Sequence, residues 1–180
     1  MEALHYDEHY TRADYARWEG DWELIYGHPY AMSPAPTTTH QGLSLQVAMQ
    51  LYRKIEESGC EDCKVFQDVD YEVSEDTVVR PDVLLICKPV GETVNKAPEI
   101  IFEIISSSTG RRDETIKFEL YQKEGVGYYI LIYPDGQVAK VYRCNEFGKY
   151  VKVGDFDNET IEFETKKCRF DFDFSKIWRQ

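Results

Sequence analysis

The chain has no apolar run approaching the roughly 18 residues that a membrane-crossing helix needs, so a transmembrane helix is not expected. The start, Met1 to Tyr10, has neither a basic cluster nor an apolar core, so no signal peptide is read there. A soluble cytoplasmic protein is the expectation. Positive charge is scarce: 21 Lys and Arg stand against 33 Asp and Glu, for a formal charge of −12. This argues against a broad basic face for nucleic acid, but not against a local basic groove or a carboxylate-rich metal site. No low-complexity tract, internal repeat or linker interrupts the 180 residues, a length that suits one domain with a sizeable core.

Cysteine is sparse, and its five copies are an odd number. They fall in apparent core elements (Cys87, Cys144, Cys168), which reads as reduced thiols rather than a disulfide framework. Cys60-Glu61-Asp62-Cys63 has redox spacing. It follows a helix and precedes a strand, however, the reverse of a thioredoxin-like order. A structural zinc site would need two more ligands in a second close pair, and none is visible.

What is present is a strong alternation of elements. Thr11, with Asp14 three residues on, predicts a capped short helix running to Glu19. Trp22–Tyr26 and Pro29–Met32 read as a hairpin around Gly27-His28, closed by a stiff Ser33-Pro34-Ala35-Pro36 loop. Leu43, Val47, Leu51 and Ile55 recur every four residues in a long helix that Gly59 ends. Strands are expected near Lys64–Phe66, Val69–Val73, Val78–Cys87, Tyr128–Ile132, Val138–Tyr142, Tyr150–Val153 and Phe170–Phe174. Pro81 should break the pairing just before Asp82. A helix from about Arg111 to Lys123 carries Asp113, Lys117 and Tyr121 on one i, i+4, i+8 line. Helices interleaved with a mixed sheet predict an α/β fold or helices packed on a sheet.

The chemistry concentrates in Ile100-Ile101-Phe102-Glu103-Ile104-Ile105. Five of these six residues are large and apolar, so the run reads as a buried central strand. A carboxylate inside it costs several kcal/mol unless a metal ion or a cation offsets it. Arg80 and Lys117 are the candidate cations. If the Asp82 strand is its neighbour, Asp82 and Glu103 converge at the sheet surface. Two carboxylates with few nearby donors form a hard oxygen site suited to Mg²⁺ or Mn²⁺. Arg111 and Arg112, near a helix start, could bind phosphate, but two basic residues there are more often simply solvated.

These residues carry a resemblance. Arg80-Pro81-Asp82-Val83, then Glu103 in an apolar strand ending Ser106-Ser107-Ser108-Thr109, is similar to the PD-(D/E)XK nuclease superfamily. Within it the chain resembles the Uma family of restriction endonucleases. Further matches are Trp22–Gly27 with Met32-Ser33-Pro34, His40 opening the first long helix, Arg112-Asp113 with Lys117 and Tyr121, and Gly125–Tyr129 with Pro134. The resemblance implies a restriction-endonuclease-like domain over 1–180. Its parts would be an N-terminal helix and hairpin (1–36), a nuclease core (37–135) and a C-terminal β extension (136–180).

The resemblance also implies site roles. Asp82 and Glu103 would be the metal carboxylates, and the Ile104 carbonyl a backbone ligand. The superfamily's lysine usually stands where this chain has Ile105, and Lys117 on the next helix would replace it. Glu23, His40, Gln67 and Tyr121 are lesser site candidates. The implied activity is Mg²⁺-dependent hydrolysis of DNA phosphodiester bonds by a homodimer, with Lys117 assisting the attacking water. The alternative is a non-catalytic interaction or regulatory module that keeps the fold, linked to a mobile element or defence system.

Overall fold

The computed structural model describes residues 8–32 and 35–179. The readings that fall on Met1 to Asp7, Ser33 and Pro34 lie outside the described residues. Thr11 caps the short helix α1 (Arg12–Tyr15) through a reciprocal bond with Asp14. Strands β1 (Trp22–Ile25) and β2 (His28–Ala31) form the expected hairpin. Its turn falls one residue earlier than the expected Gly27-His28, on Tyr26 and Gly27, which both have positive φ as a two-residue hairpin turn requires, and His28 opens β2. Helix α2 (Thr38–Glu57) starts where the Thr37 side chain accepts the His40 N–H. It buries Leu43, Val47, Leu51 and Ile55, while Leu45, Met49 and Tyr52 stay exposed.

Pro81 does more than interrupt a strand. The expected single run Val78–Cys87 is two strands in two sheets. Strand β5 (Thr77–Val79) joins β1, β2 and β4 (Tyr71–Ser74) in a small antiparallel sheet of order β2-β1-β5-β4. Strand β6 (Val83–Ile86) enters the main sheet. Arg80-Pro81-Asp82 is the crossing between them. It falls there because proline offers no N–H to either ladder.

The main sheet has six strands, in the order β10-β9-β8-β7-β6-β3. These are β3 (Lys64–Gln67), β6, β7 (Ile100–Ile104), β8 (Tyr128–Tyr133), β9 (Val138–Cys144) and β10 (Tyr150–Phe156). Only β7 and β8 pair in parallel, so the sheet is mixed. Strand β7 lies inside it with all five residues buried. Ile100, Phe102 and Ile104 pack on the face covered by α2 and by the hairpin β11 (Thr160–Glu164)–β12 (Arg169–Asp173). Ile101 packs on the other face, with Leu84, Leu120 and Tyr121, and Glu103 points that way too. The expected strand at Phe170–Phe174 is β12, whose partner β11 was not read from the sequence.

The helix expected from Arg111 to Lys123 is two: α3 (Gly110–Glu114) and α4 (Ile116–Glu124). Thr115 leaves helical geometry between them, and its hydroxyl bonds the Arg111 carbonyl at 2.5 Å in place of a backbone donor. Gly125 ends α4 with φ 74°.

The cysteines differ from expectation. Cys60 pairs with Cys168 and Cys63 with Cys87, and only Cys144 is free. Sequence spacing could not show this, because the partners come from the far end of β6 and the start of β12. No helix among the described residues is long and apolar enough to cross a membrane.

Candidate active site

Register brings the two carboxylates together. Val83 pairs with Phe102 across β6 and β7, so Asp82 falls opposite Glu103. The Asp82 N–H points at Glu103 Oε2 at 3.4 Å. Asp82 Oδ2 accepts the Ile104 N–H at 2.6 Å. In an extended strand a residue's N–H and C=O share one edge, so the Ile104 carbonyl faces the Asp82 side. The other oxygen, Asp82 Oδ1, lies 3.1 Å from His40 Nε2, carried in by the first turn of α2.

Lys117 is 2 % exposed and Glu103 3 %. The Lys117 Nζ sits 2.6 Å from Glu103 Oε1, 2.9 Å from Glu23 Oε1 and 3.4 Å from Asp113 Oδ1. Glu23, on β1 of the small sheet, also accepts the Arg80 N–H at 2.9 Å and Arg112 at 2.8 Å. Beneath the pair, the Tyr121 hydroxyl donates to Glu103 Oε1 at 3.1 Å. The cation beside Glu103 is thus Lys117 and not Arg80, whose guanidinium bonds Asp70 and Asp21. Arg112 is not a solvated surface residue either. It reaches from α3 to Glu23 and lies over the Tyr30 ring.

Glu23, Arg80, Asp82, Glu103, Arg112, Asp113 and Lys117 line a cleft of about 180 Å³, together with Thr37, His40 and the Ser106–Thr109 loop. Gln67 does not line it. Its side chain donates to Ser44 Oγ at 2.7 Å, and Ser44 leans on the Asp82 carbonyl at 3.5 Å, so it supports the backbone behind the cleft. Ile105 packs into the core on the α4 side and against Gly110, where a Cβ would meet its Cγ2 at 2.9 Å.

Asp113 and Arg112 were not picked out as site residues from the sequence. The signal for Asp113 was its place four residues before Lys117.

The charge balance is negative. Glu23, Glu103 and Asp113 share Lys117, Glu23 also pairs with Arg112, and Asp82 is flanked by His40. Burial pushes the Glu103 carboxyl well above its usual range. Lys117 opposes this, and Asp113, Asp82 and Glu23 add to it. Burial also raises Asp113. Glu23 is held below its ordinary value: burial works against its charged form, but Lys117, the Arg80 N–H and Arg112 prevail. Lys117 is desolvated, yet Glu103, Glu23 and Asp113 keep it charged well above its ordinary range. Burial opposes a charged His40, but its bond to Asp82 raises it.

The donor set fits a hard divalent cation. It offers carboxylate oxygens, a carbonyl on the same side and surplus negative charge. Among the described residues no group of three or more His, Cys, Asp and Glu is placed so that it could hold a metal ion by itself. Mg²⁺ does not require one, since one or two carboxylates suffice and water fills the rest.

A family model, Uma2, described as "Putative restriction endonuclease", matches residues 8–165. Among solved structures the fold is similar to that of a "putative nuclease belonging to DUF820" from Anabaena variabilis ATCC 29413. The TM-score is 0.74 at 16% identity, covering 93% of this chain and 97% of the other. A search of curated proteins finds no match.

Proposed function

Since this chain belongs to the Uma2 family of restriction-endonuclease-like proteins, we propose that it is a Mg²⁺-dependent endonuclease hydrolysing DNA phosphodiester bonds. The observation that carries the proposal is the pairing of the half-buried Asp82 with the buried Glu103 in the cleft, with Lys117 between Glu103, Glu23 and Asp113. Asp82, Glu103 and the Ile104 carbonyl would hold the ion, and Mn²⁺ would substitute for Mg²⁺. When bound, the ion supplies Lewis acidity toward a phosphoryl oxygen and lowers the pKa of water.

The chain's own residues do the rest. Glu23 and Asp113 hold the Lys117 ammonium in place. Because Lys117 stays protonated, with its three N–H groups facing Glu103, Glu23 and Asp113, it acts as a fixed positive charge beside the attacking water and the reacting phosphoryl group, not as a base. Tyr121 fixes Glu103 from below, and His40 fixes the outer oxygen of Asp82. Attack on phosphorus would break the P–O3′ bond. A homodimer would place two clefts on the two strands of a duplex.

The test is cleavage of supercoiled, linear and single-stranded DNA with Mg²⁺ or Mn²⁺ across a range of salt. Activity should vanish in Asp82→Ala and in Glu103→Ala. Cleavage that survives both substitutions overturns the site.

One observation favours a second reading, a non-catalytic module that retains the fold. The Lys117–Glu103–Glu23–Asp113 network is already closed on itself within the protein. A melting temperature that Mg²⁺ raises, with the shift lost in Asp82→Ala, supports an ion site under either reading, and cleavage of DNA then separates them; no shift leaves metal binding unsupported.

A further inference from the structure

The fold gathers four of the five cysteines at the end of the molecule away from the cleft. Cys60 and Cys63 sit on one turn directly after α2, where the Cys63 N–H bonds the Cys60 carbonyl at 3.0 Å. Cys87 follows the last residue of β6, the strand that begins beside Asp82. Cys168 immediately precedes β12. The Cα atoms are 5.6 Å apart for Cys60 and Cys168, and 3.9 Å for Cys63 and Cys87. All four belong to one buried apolar cluster, while Cys144 lies elsewhere at the end of β9.

We propose that in the reduced protein Cys60, Cys63, Cys87 and Cys168 form a tetrathiolate site for a soft tetrahedral divalent cation, Zn²⁺. In the oxidised state the sulfurs are joined in pairs and have no thiolate to offer. Each disulfide takes two electrons and two protons from a dithiol reductant, which becomes a cyclic disulfide. The four thiols then lose their protons as the metal binds.

Two features favour a metal over four free thiols. A Cys-x-x-Cys turn supplies two of the four ligands of a closed structural zinc site, and the fold, not sequence spacing, delivers the other two. A shallow hollow lined by Gly59 to Cys63 and Lys167 gives a cation a route to the sulfurs.

The test uses the full chain, reduced anaerobically with a dithiol that is then removed, with folding checked by circular dichroism. Co²⁺ is the probe. The proposal expects one Co²⁺ per chain, a strong thiolate-to-cobalt charge-transfer band and intense tetrahedral visible bands, all abolished by one equivalent of Zn²⁺. Zn²⁺ should also shield Cys60, Cys63, Cys87 and Cys168 from alkylation while Cys144 reacts. Cys144→Ser should leave the spectrum unchanged, and Cys168→Ser should weaken Co²⁺ binding at least tenfold. A folded, reduced protein that shows only weak octahedral Co²⁺ bands overturns the site. So do four thiols alkylated equally with and without Zn²⁺, a readout that needs no variant to fold.

Discussion

Replacing Lys117 with methionine keeps most of the side chain's volume and removes its charge. In the wild-type protein the ammonium lies within 2.6–3.4 Å of Glu103, Glu23 and Asp113. Methionine leaves Arg112 as the close cation of Glu23, and none beside Glu103 and Asp113. Removing one partner from a buried ion pair costs about 3–5 kcal/mol, and two carboxylates stranded together belong at the upper end. For a chain of this size that is a fall in melting temperature of roughly 6–20 °C.

The deficit has a pH sign. Glu103 and Asp113 already titrate above their ordinary values, and without Lys117 they rise further. A carboxyl raised in the folded state contributes stability below its unfolded pKa and loses it as pH rises through the folded value. The gap between Lys117→Met and wild type should therefore shrink from pH 8 toward pH 5. Urea melts followed by tryptophan fluorescence at the two pH values measure it. A loss below about 1 kcal/mol, the range of an exposed pair, or a gap independent of pH, would refute the network as drawn.

Other expectations follow from local geometry. Gly127→Ala should cost about 1–3 kcal/mol, because its Cβ would meet the Glu99 carbonyl oxygen at 2.8 Å; chemical denaturation of the variant measures it. Leu51→Ala, at a fully buried position of α2, should cost about 2–5 kcal/mol by the same assay. Tyr15 is pushed up to about 12 by burial and by Asp70, and burial raises Tyr121 and Tyr129 well above their ordinary value. Their contribution is full below about pH 10 and is lost as pH rises toward the folded values. Tyrosinate absorbance should therefore show a block of tyrosines that ionises only together with the loss of near-ultraviolet circular dichroism. Smooth independent titration would contradict this.

Local physics made much of the fold legible. The four-residue spacing in α2, the glycine of the first hairpin and the largely apolar run of β7 each carry their element in the residues themselves. So did the oddity of Glu103, since a carboxylate in an apolar strand demands a partner. Lys117 and Arg80 were both legible as candidate partners, but the choice between them was not. It depends on β1 of the small sheet bringing Glu23, and α3 bringing Arg112, to a lysine on α4. The break at Thr115 and the sheet change at Pro81 were missed or under-read, because a single threonine or proline does not say where the chain goes next. The cysteine pairing depends on β6 ending and β12 starting beside one turn, a tertiary fact with no local signal.

The central claim is that Asp82 and Glu103 form a divalent-cation site used for phosphodiester hydrolysis. The most direct measurement is cleavage of supercoiled DNA by the purified protein with Mg²⁺, run beside Asp82→Ala and Glu103→Ala at matched, verified folding. The prediction is nicked and linear products with wild type, none with either variant and none with chelator present. Intact DNA with the folded wild-type protein under every divalent cation and salt tried, or equal cutting by the variants, would contradict it.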